Sequence, residues 1–461
     1  MKNLKNLLLV VFIFICGTAN AQMMVRIAGT GVCDTVGNGG PAKYATICAP
    51  WGMTMDSSSN IYLNNWSFQV IQKIAANGII SRFAGNGTNN FLNQVSGAFS
   101  IVSGASADTT PMLNVMYLTN DINNNILVSM AWGMVVRIST NGIITVVAGS
   151  DTATAYREGV PATTVNLGPI SAITTDKENN IYIAHADFLM YGSTTNGYIS
   201  KVTPAGIITR YAGLGTSTAD GTPARQAIID HPLGLITDDA DNLYISCDDS
   251  FIVKIDNKGI YSFYAGNGTN PADGVGISDA AIYPDALAFS PDGELYFAER
   301  NNAKIRKISK AGIVTTVAGD GVWGYSGDST VAATSHINSP NDIIFDKKGN
   351  LYFDEEDLNS SMSMLFKVIL NPLDVPETPN VGDVTISPNP STGIFNVTTT
   401  AQQTNAKVVV FNNMGQLVAT EKIAGNAAQV NLKKMPNGIY FARVTNETGA
   451  IITTEKLVKM E

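Results

Sequence analysis

Histidine is scarce in this chain, three copies in 461 residues. No His-x-His pair occurs and no histidine recurs at matched positions, so the commonest ligand pattern for a catalytic zinc is missing. Charge is sparse as well: 15% of residues are charged, the net charge is −9, and the cations are spread about one group per repeat without building a basic patch. A binder of nucleic acid needs a basic patch against phosphates, so that class is excluded. Beyond the first residues no apolar run approaches the ~18 residues of a membrane-spanning helix. The glycine-rich "VAGDGVWGYSGDS" near residue 320 has no helical pattern behind it, and a phosphate loop requires one.

What the chain does have begins with its first residues. "MKNLKNLLLVVFIFICGTANAQ" carries Lys2 and Lys5, an apolar run from Leu7 to Ile15, and the small-x-small site Ala19-Asn20-Ala21. This is the pattern of a secretory signal peptide over residues 1–21, cleaved before Gln22, and it predicts a soluble exported product. Three of the four cysteines remain after cleavage. Cys33 and Cys48 flank one glycine-rich loop, so a disulfide between them is expected in an oxidising compartment, and Cys247 is expected as a small buried hydrophobe.

Glycine, at 42 copies, together with Thr, Ile, Val and Tyr, points to short strands and tight turns. An Ala-Gly pair recurs at Gly29, Gly85, Gly149, Gly213, Gly266 and Gly319, with spacings of 56, 64, 64, 53 and 53 residues. Each period holds the same parts in the same order. In "DALAFSPDGELYFAERNNAKIRKISKAGIVTTVAGDG" these are strand, turn, strand through Tyr296, loop, strand, turn and strand. Turn aspartates Asp56, Asp121, Asp176, Asp238 and Asp346 recur four residues before an Asn. A calcium site is conceivable there, but Asp capping its own turn explains the recurrence without metal. The third strand always brings a cation, Lys73, Arg137, Lys201, Lys254, Lys307 or Lys367, whose stem is expected to lie on a neighbouring unit.

Counting strands gives a topological expectation. The chain opens with an orphan fourth strand, "MVRIAG", and its sixth unit ends at "SMLFKVIL" without one. If the first strand completes the last sheet, a six-bladed β-propeller closes with no open edge at the seam.

The phrases "YFAERNNAKIRKISKAGIVTTVAGDGVWGYSGDS" and "AGTGVCDTVGNGGPAKYATICAPWG" resemble NHL repeats, over roughly residues 24–370; the second and third units depart from the pattern. A polar, proline-rich linker at 371–383 follows. Then "VTISPNPSTGIFNVTT", "AKVVVFNNMGQLVATEKI", "QVNLKKMPNGIYFARVTN" and "AIITTEKLVKM" alternate as the strands of a small β-sandwich. In this order they resemble the C-terminal sorting domain of type IX secretion in Bacteroidota, over residues 384–461. That resemblance implies the type IX machinery as a partner, and a product that is secreted or held at the outer-membrane surface. The fold class is therefore all-β, a six-bladed NHL-type β-propeller over 22–370 followed by a β-sandwich sorting domain.

Function on such a ring is expected at the channel rim, where loops join strands two and three. The residue three after each blade tyrosine, or after Leu127, lies there: Asn65, Met130, His185, Cys247, Glu299 and Glu355. Trp51 and His231 stand beside the starts of first strands, and Trp132, Phe188, Tyr191 and Trp323 offer aromatic surface. Two classes follow. A binding module would present this rim to a protein, peptide or glycan ligand with no cofactor. A hydrolase or lyase resembling propeller lactonases or amidating lyases would hold a divalent metal through His185, Glu299 and Glu355. Asn65 and Met130 interrupt that ring of ligands, which favours binding over catalysis.

Overall fold

The computed structural model describes residues 22–32, 38–87, 101–112, 114–130, 133–150, 152–153, 155–186, 197–247, 250–356, 363–370, 384–399, 406–412, 417–445 and 451–460. Helix is confined, among these residues, to three-residue 3-10 turns. Six antiparallel sheets occupy residues 23–369. Their innermost strands are Met53–Met55, Val115–Asn120, Ala172–Thr175, Pro232–Thr237, Leu287–Phe289 and Ser339–Phe345. Each touches the next in this order, and the last touches the first. A closed ring of radial sheets is the result, with buried aliphatic and aromatic side chains filling the wedges between neighbours.

The ring is closed by the N-terminal strand. Met23–Ala28 pairs antiparallel with Ser363–Ile369, from Met23 opposite Ile369 to Ala28 opposite Leu365. Its other edge is covered too: Met23, Met24 and Val25 pair with Val331, Thr330 and Ser329. The glycine-rich loop before blade six therefore does not turn directly inward. It first adds a short edge strand, and the loops before blades three, four and five do the same, with Val160–Pro161 on Ile207–Gly213, Thr222–Pro223 on Ile260–Gly266 and Val275–Gly276 on Ile313–Ala318, whereas among the described residues blades one and two gain only single bridges at Pro41 and Ser106. This shields the outer backbone edge that a radial sheet otherwise presents to other chains. Arg26 fixes the clasp through a two-point pair with Asp328, at 2.7 and 3.1 Å. Lys43 and the Tyr325 hydroxyl also reach Asp328, and these partners, Arg26 first, hold its carboxyl far below the usual range. Gly319 has φ +84°, and a Cβ there would lie 2.1 Å from the Ala303 carbonyl oxygen, so this corner admits glycine alone.

Within each blade the recurrent turn builds a fixed polar unit. Asp176 accepts from the N–H groups of Glu178 and Asn180 through Oδ1, and from Asn180 Nδ2 (2.7 Å) and the Tyr182 hydroxyl (3.1 Å) through Oδ2. The third-strand lysine completes it: Lys201 Nζ is 3.8 Å from Asp176 and 5.2 Å from the centre of the Tyr182 ring. Asp56, Asp238 and Asp346 repeat the arrangement. Where Leu127 replaces the tyrosine, Arg137 pairs with Asp121 at 3.2 Å. The carboxylates are saturated by donors of their own turn, which accounts for them without calcium. The lysine ammonium groups lie over the tyrosine of their own blade, as for Lys73, Lys254, Lys307 and Lys367. Strand pairing puts tyrosine and lysine directly opposite each other in register, so a cation over a ring is the nearest contact available.

Residues 384–459 form two further sheets, one of three strands and one of four. Gly438–Thr445 alternates buried and half-buried positions from Tyr440 onward. Phe395, Val397 and Val430 from the first sheet share one core with Val408, Val410, Ala442 and Val444 from the second, which makes a sandwich.

Candidate functional site at the channel mouth

The inner strands enclose a cavity of about 390 Å³, lined by all six of them. At its mouth three of the inner strands open with a register shift, at Val115–Leu118, Pro232–Gly234 and Pro340–Ile343, and N–H groups at the strand starts need partners. A side chain from strand two supplies one, always twelve residues further on. Asn64 Oδ1 accepts from Gly52 N (3.0 Å), Ser129 Oγ from Tyr117 N (3.1 Å) and Ser246 Oγ from Gly234 N (2.8 Å). Asn64 and Ser246 also donate onward to the next blade, Asn64 Nδ2 to the Val115 carbonyl and Ser246 Oγ to that of Asp285. In blades three and five the pair is Ala172 with Ala184 and Ala286 with Ala298, and backbone bonds alone connect the strands.

Blade six makes the same tie with two acids. Asp354 Oδ1 accepts from Asp342 N at 2.7 Å, at the same twelve-residue separation. Asp342 in turn spans the seam to blade one, accepting from Met53 N at 2.7 Å, and also accepts from Ile343 N at 2.8 Å. Burial pushes the Asp342 carboxyl up to about 7 against the pull of those two N–H groups. Asp354 is fully buried, and burial followed by the neighbouring charge of Asp342 raises it well above the carboxylate range. Glu356, at the end of the same strand, is raised by burial, with Arg300 and Asn341 acting in the opposite sense. Arg300 is the cation of this mouth. Its guanidinium lies 4.7 Å from the centre of the Trp51 ring, and its N–H donates to Asp285 Oδ2 at 3.0 Å. Trp51 itself is fixed by its N–H, which donates to Asn64 Oδ1 at 2.7 Å. Trp51, Arg300, Asn341 and Asp342 all line the cavity.

Residues 385–460 match the family described as the secretion system C-terminal sorting domain. Residues 27–219 match the teneurin NHL domain. The chain thus carries an NHL domain match in its propeller and a secretion sorting tail behind it. A curated relative, Teneurin-3 of Mus musculus, is 27% identical over 312 residues, 64% of this chain but only 9% of the teneurin's own length. Among solved structures, a structural-genomics protein of Bacteroides thetaiotaomicron aligns with TM-score 0.53 and 17% identity over 76% of each chain. An auxiliary nutrient binding protein of the same species aligns with TM-score 0.50 and 14% identity, again over 76% of each. At these identities the likeness to solved structures concerns the fold. The sorting tail addresses the NHL propeller for export to the cell surface or beyond, and no helix among the described residues is long and apolar enough to cross a membrane.

Of the eight rim residues expected from the sequence, the NHL propeller places Trp51 on the channel wall and the others away from it. His185 is buried in blade three: Nδ1 bonds the Leu167 carbonyl at 2.8 Å, Nε2 bonds Ser200 Oγ at 2.9 Å, and the ring stacks on Tyr198 at 4.2 Å. Burial brings its pKa down to about 4, so it is neutral at physiological pH. Glu299 accepts from Tyr283 N at 3.0 Å, and Arg306 approaches it at 3.6 Å. Glu355 accepts from Asn338 N at 2.8 Å. Each of these three is committed inside its own blade, and no group of three His, Cys, Asp or Glu among the described residues is disposed to hold a metal. Asn65 is buried and donates to Gln72 at 3.3 Å, and Met130 and Cys247 are buried in blade cores. His231 pairs with Asp230 at 2.8 Å beside its strand, and His336 pairs with Asp320 at 2.8 Å. Trp323 is 44% exposed on the loop before blade six. Cys48 is disulfide-bonded, and its expected partner Cys33 lies outside the described residues, as do Trp132, Phe188, Tyr191, the signal peptide and the linker.

The acids of blade six went unnoticed in the sequence although a signal for them existed. Aligning the position two after the blade tyrosine gives Asn64, Ser129, Ala184, Ser246, Ala298 and Asp354, with one charge among six.

Proposed function

We propose that this exported propeller is a binding protein that takes a polar extracellular ligand, a peptide or glycan, at the mouth of its channel. The observation that carries the reading is the Trp51–Arg300 pair at the entrance of a lined cavity. An aromatic face flanked by a guanidinium, an amide and carboxyls offers stacking surface and directional hydrogen bonds together. The rim residues around it, Asn65, His185, His231, Cys247, Glu299 and Glu355, support the mouth by holding strand ends and loops in place. That a propeller of similar fold is described as an auxiliary nutrient binding protein agrees with this reading. A metal-dependent hydrolase or lyase has no specific observation in its favour.

The test is a panel of soluble oligosaccharides and peptides presented to the full mature chain and to a Trp51→Ala variant of matched unfolding temperature. Loss of a stacking platform weakens binding about tenfold. Equal binding by both proteins would remove the mouth from the interaction.

A further inference from the structure

We propose that Asp342, Asn341 and Glu356 form a subsite for a primary ammonium group of the lysine side-chain type, deepening the channel-mouth reading on which it rests. The argument begins with the repeat. Five blades join their first two strands at the mouth with glycine, alanine, serine, asparagine or tyrosine, so the architecture requires no charge there. Two carboxyls at the equivalent pair in blade six cost desolvation energy that neutral residues avoid, and such groups are a mark of ligand sites.

Hydrogen-bond accounting then specifies the ligand. Asn341 Oδ1, Asp354 Oδ2 and Glu356 Oε2 are buried acceptors that no donor among the described residues satisfies. Asp354 is fully buried, and its placed oxygen faces the N–H of Asp342, on the channel wall. A group complementary to several acceptors and no donors is one that only donates, and an alkylammonium carries three N–H bonds and no lone pair. The charge agrees. Of the charged side chains that line the cavity, Asp285 and Asp342 are acids and Arg300, already seated on Trp51, is the one cation. Glu355 on the same strand is occupied by Asn338, and Met53–Met55, packed across the seam, brings no ionisable side chain.

Protons compete with such a ligand. Asp342 is ionised above its raised pKa and protonated below it, so affinity is greatest on the alkaline side and falls as pH drops. Lysine itself keeps its charge throughout this range.

The experiment is calorimetric titration of the full mature chain with trilysine peptide, capped at both ends, and with its ε-acetylated counterpart. At about pH 8 the charged peptide binds about tenfold tighter, and the preference shrinks toward about pH 5.5. In Asp342→Asn, which keeps an acceptor for Met53 N, the preference and its pH dependence both disappear while the unfolding temperature is retained or raised. Equal affinity for the two peptides, no binding of either, or a preference that survives Asp342→Asn overturns the subsite. If oligosaccharides or neutral peptides still bind through Trp51, the subsite alone falls and the mouth remains a binding site. If the ammonium preference is present but Trp51→Ala binds normally, the aromatic platform falls instead.

Discussion

Blades three and six both bury an ionisable side chain at the end of strand two, and they treat it in opposite ways. In blade three, His185 has a partner on each ring nitrogen and a stacked tyrosine, and it sits away from the channel wall. In blade six, Asp354 has one oxygen placed and one without a partner, behind an Asp342 that faces the cavity. Burial lowers the histidine and raises the acids, and in both cases it favours the neutral form. The difference lies in satisfaction. A buried group with all its bonds made is part of the core, whereas one left with spare acceptors beside a cavity is available to a ligand.

The largest effect should come from removing what makes blade six unlike blade three, its assembly from both chain ends. Deleting residues 22–28 takes the fully buried Met24 and Ala28 out of two neighbouring cores and exposes the edge of Ser363–Ile369. Thermal unfolding followed by circular dichroism should show a drop of about 10 °C or more, or loss of the cooperative transition. An unchanged transition would mean that the seam carries no more than an ordinary edge.

An intermediate effect is expected in blade three. His185→Ala takes from the Leu167 carbonyl its ring partner, leaves the Ser200 hydroxyl with Tyr156 alone and removes a stacked ring, a loss of about 2–4 kcal/mol in denaturant unfolding. Metal content by elemental analysis should be the same in variant and parent. A metal lost together with His185 would reverse the assignment of this residue to the core.

The smallest and most diagnostic effect belongs to Asp342→Asn. The folded-state pKa lies above the unfolded one, so the native acid opposes folding as pH rises from the ordinary carboxylate range through about 7. The variant is therefore expected to gain about 1–2 kcal/mol at pH 8 and nothing near pH 4. Denaturant midpoints at the two pH values check this, and a gain that does not depend on pH would assign the effect to packing.

Much of this architecture was legible because it depends on local pattern repeated. Turn chemistry at Asp176 and its counterparts, the orphan strand "MVRIAG" and the alternation of the C-terminal strands each follow from a few neighbouring residues. The candidate site was read one residue out of place. Successive residues of a strand point to opposite faces, so His185, Glu299 and Glu355, three after the blade tyrosine, enter the wedges between blades. The residue before each of them lies opposite the start of the inner strand, where Ala184 and Ala298 meet it through backbone alone and Asp354 through its side chain. Nothing in "NLYFDEE" indicates which of its acids reaches Asp342 at the start of the inner strand, since that depends on the register with Ser339–Phe345 and on the irregular turn after Pro340.

By itself the sequence determined the strand order, the closing of the last blade by the first strand, and export by a C-terminal tail, because these are set by periodicity and by contiguous motifs. Only the tertiary structure decided which acids share a mouth with Trp51 and Arg300. Asp342 is buried at the seam and held there by the N–H of Met53, 289 positions away along the chain, and both conditions exist only once the ring has closed.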